Sequence, residues 1–280
     1  MGKGRVAILG GRGMLGTDLA AECLRCGFDV QVHDLPGFDI LNARQVREAI
    51  NAADAVINCA AYTNVDGAES QKELARRVNG EAVEQLGRLA AEQGRWVLHF
   101  STDFVFDGEL DRPYAETDTP NPINEYGRSK LAGERLLEQS GCPHCIVRLE
   151  WTYGPHGNNF VTKIVERART AGQLKVVEDQ IGAPTATTEV AAAVSRLLEQ
   201  RVEGLFHFAN SGYASRFDVA RFIVERLSLS ARVLPCRSSD YSSPARRPLN
   251  SRFNCTKIQA LLGETIKPWQ EPLASFLGSL

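Results

Sequence analysis

The sequence contains no apolar run of about 18 residues, the length that a membrane-spanning helix needs. Its first residues, MGKGRVAIL, lack the charged, apolar and small-residue segments of a secretory signal. An excess of basic residues is missing too, because 32 Lys and Arg stand against 34 Asp and Glu. We therefore expect a cytoplasmic chain that binds neither membranes nor nucleic acid.

The seven cysteines form no compact disulfide framework in 280 residues, which indicates reduced thiols. Two CxxC spacings occur, at Cys23 and Cys26 and at Cys142 and Cys145. Such pairs can hold zinc or perform redox chemistry where they meet or open a helix. We prefer the simpler interpretation, buried or half-buried residues at the ends of elements, and expect no metal site.

Hydrophobic residues make up 43% of the chain and charged residues 24%, a composition typical of globular proteins. Short apolar runs alternate with helical periods over the first 150 residues. Strands separated by helices pair in parallel, so we predict the α/β class with a Rossmann-type doubly wound parallel sheet. The predicted strands are 6–9, 30–33, 55–59, 96–100 and 145–149, and the predicted helices are 15–26, 43–50, 74–92 and 126–138.

The pattern becomes less regular after residue 150. Helices are predicted at 160–171, 188–199 and 217–227, strands at 175–177 and 205–208, and a segment rich in Pro and Arg covers 242–248. We interpret residues 1–150 as an NAD(P)-binding Rossmann domain. Residues 151–280 are interpreted mainly as a smaller substrate-binding lobe, with some segments returning to the first domain. The expected assembly is a monomer or a homodimer.

The first predicted strand ends in a turn that contains Gly10, Gly13 and Gly16. The first glycine permits the tight turn, the second lets a pyrophosphate approach the backbone, and the third lets the helix pack on the sheet. The following helix offers free N–H groups and a partial positive charge to phosphates. Because the turn lies between a strand and a helix, it predicts a dinucleotide site.

Asp34 ends the second strand, where a carboxylate typically binds the adenosine ribose and favours NADH; alternatively it is a turn residue. Arg12 favours NADPH instead, since a guanidinium in the glycine turn can hold a 2′-phosphate. The expected cofactor is therefore NADPH or NADH. Asp39 and Ile40 are candidate adenine contacts, or else part of a helix-cap region before Asn42.

Small residues follow the third strand at Ala60 and Ala61, where the middle of a dinucleotide lies in a parallel sheet. The fourth strand ends near Thr102, and Tyr126 follows 24 residues later. Tyr126 and Lys130 are four residues apart on one helix face, so the ammonium can lie near the phenol and a cofactor ribose. We expect it to lower the Tyr126 pKa, and we expect Tyr126 and Thr102 to donate to a developing alkoxide.

With these residues in place, the sequence resembles one family, the dTDP-4-dehydrorhamnose reductases, which are extended short-chain dehydrogenases. The resemblance covers both halves of the chain. The matching segments are NCAAYTNVD (58–66), STDFVFDG (101–108), NPINEYGRSKLAGE (121–134), WTYGP (151–155), NF (159–160), DQIGAPT (179–185) and ARRP (245–248).

The resemblance implies NAD(P)H-dependent reduction of the C4 keto group of dTDP-4-dehydro-L-rhamnose to dTDP-L-rhamnose, so the expected partner is a nucleotide sugar. Tyr126 would be the proton donor, with Lys130 as its partner. Thr102, Asp103 and Trp151 would contact the substrate, although Trp151 can also be read as a core residue. The positions implied to contact the dinucleotide are Gly13, Met14, Leu15, Asp34, Asp39, Ile40, Ala61, Tyr62, Thr63 and Phe100.

Two positions depart from the family pattern and leave the exact sugar open. Phe104 stands where a Tyr is usual. Glu150 belongs to a Leu-Glu pair where the family has Thr-Ser, and we expect it to place a carboxylate near an anionic ligand. Arg246 and Arg247 are candidate pyrophosphate ligands, or else members of a solvated turn.

Sugar-nucleotide dehydratases and epimerases share the scaffold and the Tyr/Lys pair. Dehydratases carry an Asp-Glu pair after the strand-four Thr, whereas Phe104 follows Asp103 here, so elimination lacks its base. An epimerase would show no net use of cofactor. The regulatory subunit of methionine adenosyltransferase is also similar and acts as a binding partner. Intact Thr102, Tyr126 and Lys130 favour an enzyme, but fold alone does not decide function.

Overall fold

The computed structural model describes residues 3–280. Its strands are β1 (Arg5–Leu9), β2 (Asp29–His33), β3 (Ala55–Asn58), β4 (Trp96–Thr102), β5 (His144–Leu149), β6 (Thr152–Tyr153), β7 (Gln173–Val177), β8 (Ile181–Gly182), β9 (Thr185–Ala186), β10 (Gly204–Phe208), β11 (Ala214–Ser215) and β12 (Arg232–Cys236). Its α-helices are α1 (Met14–Arg25), α2 (Ala43–Asn51), α3 (Val65–Ser70), α4 (Lys72–Arg76), α5 (Ala82–Glu92), α6 (Glu125–Gln139), α7 (Phe160–Thr170), α8 (Thr187–Gln200), α9 (Arg216–Arg226), α10 (Thr256–Leu262) and α11 (Gln270–Leu277).

Six strands form one open parallel sheet in the order β2-β1-β3-β4-β5-β10. β3 and β4 are buried along their whole lengths, as expected of strands that helices cover on both faces. The strand order reverses between β1 and β3, and doubly wound sheets bind ligands in the crevice at the carboxyl ends of such a pair. The predicted α/β class and Rossmann-type parallel sheet are confirmed.

Apolar side chains pack on both faces of this sheet. α1, α8 and α10 contribute to one core, and α2, α5 and α6 contribute to the other. The second half of the chain therefore supplies β10, α8 and α10 to the sheet and its covering layers. No helix in the described residues combines the length and the apolar character that crossing a membrane requires.

The rest of the second half has a hydrophobic core of its own, built from α7, α9 and α11 with the parallel pair β7 and β12. This core defines the smaller C-terminal lobe. The division of cofactor and substrate binding between residues 1–150 and 151–280 stays a prediction.

The predicted single helix over 74–92 is wrong in detail. A π-helical turn at Arg77–Glu81 joins α4 to α5, and turns of this kind often occur at functional sites. Its Asn79 carbonyl oxygen packs so closely on α6 that a Cβ on Gly133 would lie 2.1 Å away. α3, α10, α11, β12 and the two-residue strands were not predicted, since such short elements carry little periodic signal.

Candidate active site

The glycine turn after β1 makes the close approaches that its spacing predicts. Gly10 has φ of 72°, a left-handed conformation that favours glycine. A Cβ on Gly10 would lie 2.6 Å from the backbone nitrogen of Ala60, and a Cβ on Gly16 would lie 2.4 Å from the Gly10 carbonyl oxygen. Side chains at these positions would therefore fill the turn and push α1 away from the sheet.

α1 begins directly after this turn. Gly13 is its N-cap, and no side chain caps the helix. The first-turn N–H groups, which include those of Met14 and Leu15, are therefore available to an anion. Arg12 and Gly13 are exposed, and Met14 and Leu15 are half-buried. This cradle fits the diphosphate of a dinucleotide.

Asp34 ties the end of β2 to the glycine turn. Its Oδ2 accepts a hydrogen bond from the Arg12 backbone nitrogen at 2.7 Å, and its Oδ1 accepts one from Leu35 at 2.8 Å. The carboxylate therefore lies at the turn, where the ribose contact is predicted. The exposed Arg12 belongs to the same turn. The turn therefore contains both the carboxylate that favours NADH and the guanidinium that favours NADPH.

Asp39 and Ile40 differ in what they can offer to a ligand. Asp39 is exposed, and its Oδ1 accepts a hydrogen bond from the Leu41 nitrogen at 2.9 Å. Ile40 is only 6% exposed and packs in the core with α2. Asn42 caps α2, accepting from Arg44 and Gln45. A dinucleotide could therefore reach the Asp39 carboxylate but only an edge of Ile40.

Buried Asn79 links the segment after β3 to α6. Its Oδ1 accepts from the Tyr62 nitrogen at 2.8 Å, and its Nδ2 donates to the Tyr62 carbonyl at 3.0 Å and to Ser129 Oγ at 2.9 Å. The π turn thus positions backbone predicted to contact the cofactor. The other predicted cofactor positions here are Ala60 and Ala61, which are half-buried, Thr63, which is exposed, and Phe100, which is buried.

Tyr126 lies at the carboxyl end of β4 because α6 packs tightly on the turn that follows Thr102. A Cβ on Gly127 would lie 2.1 Å from the carbonyl oxygen of Phe104. The half-buried ring of Tyr126 meets the Phe104 ring edge-on, with 5.8 Å between centroids. The structure therefore brings Tyr126 and Thr102 to one place, as the sequence predicts.

The phenol of Tyr126 is protonated at neutral pH. Burial raises the pKa of Tyr126 to about 12, and Asp103 adds to the rise, while the Thr102 hydroxyl lowers it. The expectation that Lys130 lowers the pKa of Tyr126 is wrong for the protein without cofactor, because Lys130 is not among the groups that shift this pKa. Nζ of Lys130 instead lies 3.2 Å from Nε2 of His99, and burial lowers the pKa of Lys130 to about 8.

Asp103 is a buried carboxyl group next to the predicted reaction site. Its Oδ1 accepts from Thr102 Oγ1 at 3.1 Å, and its Oδ2 accepts from Ser251 Oγ. Burial raises the pKa of Asp103 to about 6, although these hydroxyls and Arg216 lower it. Asp103 therefore changes charge just below neutral pH.

Glu150 does not present a carboxylate to a ligand, which corrects the expectation drawn from the sequence. Its Oε2 accepts from the Ala183 nitrogen at 2.9 Å, and its Oε1 accepts from the Phe253 nitrogen at 3.2 Å. The residue is 1% exposed, and burial together with Asp103 raises its pKa. Glu150 thus fastens two segments of the C-terminal half to the end of β5.

Trp151 has a backbone φ of 46°, which is unusual for a bulky residue and typical of strained functional positions. The guanidinium carbon of Arg216 lies 3.6 Å from the Trp151 ring centroid and 4.8 Å from that of Phe160. Within residues 3–280 this guanidinium has no hydrogen-bond or ion-pair acceptor. Burial lowers the pKa of Arg216 to about 10, so it stays cationic at neutral pH.

Arg247 is engaged by the protein. Its Nη1 and Nη2 lie 3.0 Å and 2.7 Å from the carboxylate of Asp66. Arg246 is exposed, and its carbonyl accepts from Nδ2 of Asn124, the N-cap of α6, at 2.7 Å. The ARRP segment therefore anchors the starts of α3 and α6.

Several polar residues at the site were not predicted, namely His99, Asn79, Arg216 and Ser251. A signal was present for His99, because a polar residue inside an otherwise apolar central strand needs a buried partner. Elsewhere, no group of three or more potential metal ligands occurs in residues 3–280, and the thiols of all seven cysteines are free.

Known proteins share this architecture over the whole chain. Residues 4–280 match the family model described as the RmlD substrate binding domain. A dTDP-4-dehydrorhamnose reductase of Escherichia coli (strain K12) is 35% identical over 98% of this chain and 97% of its own. One from Mycobacterium tuberculosis is 38% identical over 98% and 93%.

A crystal structure of the Bacillus anthracis dTDP-4-dehydrorhamnose reductase in complex with NADP superposes with a TM-score of 0.95. Its sequence is 32% identical, and the match covers 100% of both chains. The predicted resemblance is confirmed over the full length. The chain therefore belongs to the dTDP-4-dehydrorhamnose reductase family.

Proposed function

We propose that this enzyme reduces the C4 keto group of dTDP-4-dehydro-L-rhamnose to dTDP-L-rhamnose with NADPH or NADH. One observation carries the proposal: the chain holds a protonated Tyr126 beside Thr102 at the carboxyl end of β4, on the same sheet edge as the glycine turn. A proton donor beside a dinucleotide cradle is the arrangement that reduction of a carbonyl group needs. The names of the relatives support this choice of sugar nucleotide.

The cofactor, when bound, supplies the hydride. The space that a Cβ on Gly10 or Gly16 would fill supports a dinucleotide at the turn. The residues proposed to hold it are Gly10, Arg12, Gly13, Met14, Leu15, Asp34, Asp39, Ile40, Ala60, Ala61, Tyr62, Thr63, Phe100, Tyr126 and Lys130.

The nucleotide sugar is proposed to bind against Thr102, Asp103 and Trp151. Its diphosphate is an anion, and the stacked guanidinium of Arg216 offers several N–H donors that the protein does not use. These residues lie between the main sheet and the C-terminal lobe. Residues 151–280 would thus mainly bind the substrate, and residues 1–150 the dinucleotide.

Tyr126 is proposed to give its proton to the oxygen that forms at C4. A phenol with a pKa of about 12 is fully protonated at neutral pH, as a donor must be. The Thr102 hydroxyl donates to Asp103 in the structure, and it is proposed to turn from Asp103 to donate a second hydrogen bond to the same oxygen. A positive charge on Lys130, one helical turn away, stabilises the phenolate that remains.

The experiment is to measure NAD(P)H oxidation with dTDP-linked and UDP-linked 4-keto-6-deoxy sugars. The highest kcat/KM with dTDP-4-dehydro-L-rhamnose supports the proposal. A changed sugar without net cofactor oxidation would indicate an epimerase. Folded protein that binds NADPH but transforms none of these sugars would indicate a non-catalytic binding partner.

A further inference from the structure

Lys130, His99 and Asn58 form a buried chain of side chains that runs from α6 to β4 and β3. Nζ of Lys130 lies 3.2 Å from Nε2 of His99, and Nδ2 of Asn58 lies 3.1 Å from Nδ1 of the same ring. All three residues are at most 3% exposed. Their contacts with one another therefore decide which nitrogen atoms carry the shared hydrogens.

The backbone of Ala60 fixes the orientation of the Asn58 amide. Oδ1 of Asn58 accepts a hydrogen bond from the Ala60 nitrogen at 3.1 Å. In the reverse orientation, the amide NH₂ would face that N–H, so two donors would oppose each other. Nδ2 is therefore the group that faces His99, and Nδ1 of His99 must accept its hydrogen.

A neutral imidazole carries one proton, on either of its two nitrogens. Burial is the largest of the causes that hold the pKa of His99 well below its ordinary value, and it acts without any charge on Lys130, so the ring is neutral. Since Nδ1 accepts, the proton is on Nε2 and points at Lys130. An N–H···N hydrogen bond then requires a lone pair on Nζ, whereas an ammonium would present a second donor.

We propose that Asn58 and His99 hold Lys130 as a neutral amine before the dinucleotide binds, which makes His99 a positioning residue for Lys130. If Lys130 were an ammonium, all its hydrogens would be donors, and Nε2 of His99, which carries a proton itself, could not accept any of them. Burial acts in the same direction, because it lowers the pKa of Lys130 to about 8, and the facing imidazole N–H lowers it further.

The other ionisable groups around Lys130 do not reverse this balance. Glu134 on α6 raises the pKa of Lys130, but its carboxylate is bound by two nitrogens of Arg148 on β5, at 2.8 Å and 2.6 Å. Cys59 after β3 would raise it as a thiolate, yet burial raises the pKa of that thiol far above neutral. Tyr126 is an uncharged phenol.

The consequence for cofactor binding rests on the proposed function. A contact between Lys130 and the ribose of an anionic dinucleotide favours the ammonium. Binding would then transfer one proton from solvent to Nζ, and Nζ would exchange its bond to His99 for the ribose. The cofactor would thus create the positive charge that the Tyr126 phenolate later needs.

The first test is the tautomer of His99 in the protein without cofactor. Long-range proton–nitrogen NMR spectra distinguish the two imidazole tautomers, and the missing signals of a His99→Gln variant assign the ring. The proposal predicts the Nε2–H tautomer. The Nδ1–H tautomer, or a doubly protonated ring, would overturn it.

The second test is the pKa of Lys130, followed by NMR of its side-chain carbons. Asn58→Asp keeps the shape of the side chain but draws the imidazole proton to Nδ1, so that Nε2 can accept from an ammonium. His99→Gln provides an amide oxygen for the same purpose. Both variants are expected to raise the pKa of Lys130 by about one unit or more.

His144→Gln is the matched control, because it makes the same replacement on β5 at a ring whose Nδ1 contacts the Cys142 carbonyl instead. It is expected to leave the pKa of Lys130 unchanged. Equal pKa values in wild type, Asn58→Asp and His99→Gln would contradict the proposal. The two variants are independent, so if one fails to fold, the other still tests the proposal.

Calorimetry of NADPH binding in two buffers of different ionisation enthalpy separates this inference from the proposed function. At mildly alkaline pH, where the 2′-phosphate is already ionised, wild type is expected to take up close to one proton and His99→Gln less. If His99 has the Nε2–H tautomer but NADPH binding takes up no proton, the proposed contact of Lys130 with the ribose is contradicted. The role of His99 in the protein without cofactor would still hold.

Discussion

The guanidinium of Arg216 stacks on the indole of Trp151, with 3.6 Å between its central carbon and the ring centroid. Trp151 follows β5 of the main sheet, and Arg216 begins α9 of the C-terminal lobe. Stacking orients the cation without using its N–H groups. The contact therefore holds a positive charge between the two parts of the molecule, ready for an anionic ligand.

Arg216→Gln is expected to raise KM for the nucleotide sugar by roughly tenfold or more, since charge-assisted hydrogen bonds contribute about 1.5–3 kcal/mol. Arg221→Gln is the control, because Arg221 lies on the same helix in an exposed ion pair with Glu225. Steady-state kinetics of both variants measure the effect. Equal KM values for wild type and Arg216→Gln would contradict the role of this guanidinium.

Tyr126→Phe is expected to lower kcat by about 100-fold or more, because the variant lacks the proton that a general acid supplies. The aromatic ring and its edge contact with Phe104 are retained, so the Kd for NADPH should stay near the wild-type value. Stopped-flow kinetics and fluorescence titration measure the two quantities. Turnover close to wild type would rule out Tyr126 as the proton donor.

Asp103→Asn is expected to be more stable than wild type at neutral pH. The pKa of Asp103 is about 6 in the folded protein and about 3.9 in an unfolded chain. The folded state therefore prefers the protonated form, and wild type loses stability as pH rises from about 4 through 6. The difference in unfolding free energy should approach about 3 kcal/mol above pH 7 and disappear below pH 4.

Asp118→Asn is expected to change the stability of the protein in the opposite direction. Two hydrogen bonds from Arg112, each of 2.7 Å, hold the pKa of Asp118 at about 2. The ionised Asp118 stabilises the protein above pH 4, and this stabilisation is lost as pH falls through 2. The Asp118→Asn variant should therefore be less stable than wild type at neutral pH. Urea unfolding across the pH range measures both variants. A pH-independent difference for Asp103→Asn would contradict the assigned pKa.

Gly127→Ala is expected to lower kcat and to destabilise the fold by about 1–3 kcal/mol, the usual cost of overpacking. The added Cβ would lie 2.1 Å from the Phe104 carbonyl oxygen, so α6 must move and take Tyr126 with it. Gly172→Ala is the control, because no atom lies within 4 Å of a Cβ built there. Equal stability and activity of the two variants would show that α6 does not depend on this contact.

The glycine turn and the Tyr126/Lys130 pair could be predicted because their spacing is local. Each depends on residues within one turn or one helix, and periodicity reveals such relationships. The parallel sheet follows similarly from the alternation of strands and helices. Family resemblance then added Trp151 and Asp103, which no local spacing marks.

Contacts between distant segments could not be predicted in the same way. His99 meets Asn58 from another strand, and Glu150 binds the backbone of Phe253 about 100 residues later in the chain. The sequence marks Glu150 only as a carboxylate near an expected anion, whereas tertiary structure buries it. The raised pKa of Tyr126 has the same origin, since it comes from burial and from Asp103, while Lys130 contacts His99 from another strand.

The most direct test of the central claim uses NADPH that carries deuterium at both hydrogen positions of C4 and traces the deuterium into the sugar. With dTDP-4-dehydro-L-rhamnose as substrate, NMR of the product should show one deuterium at C4 of dTDP-L-rhamnose for each NADPH oxidised. A product without deuterium at C4, or no product from folded protein that binds NADPH, would contradict the claim that this enzyme is the reductase of that sugar nucleotide.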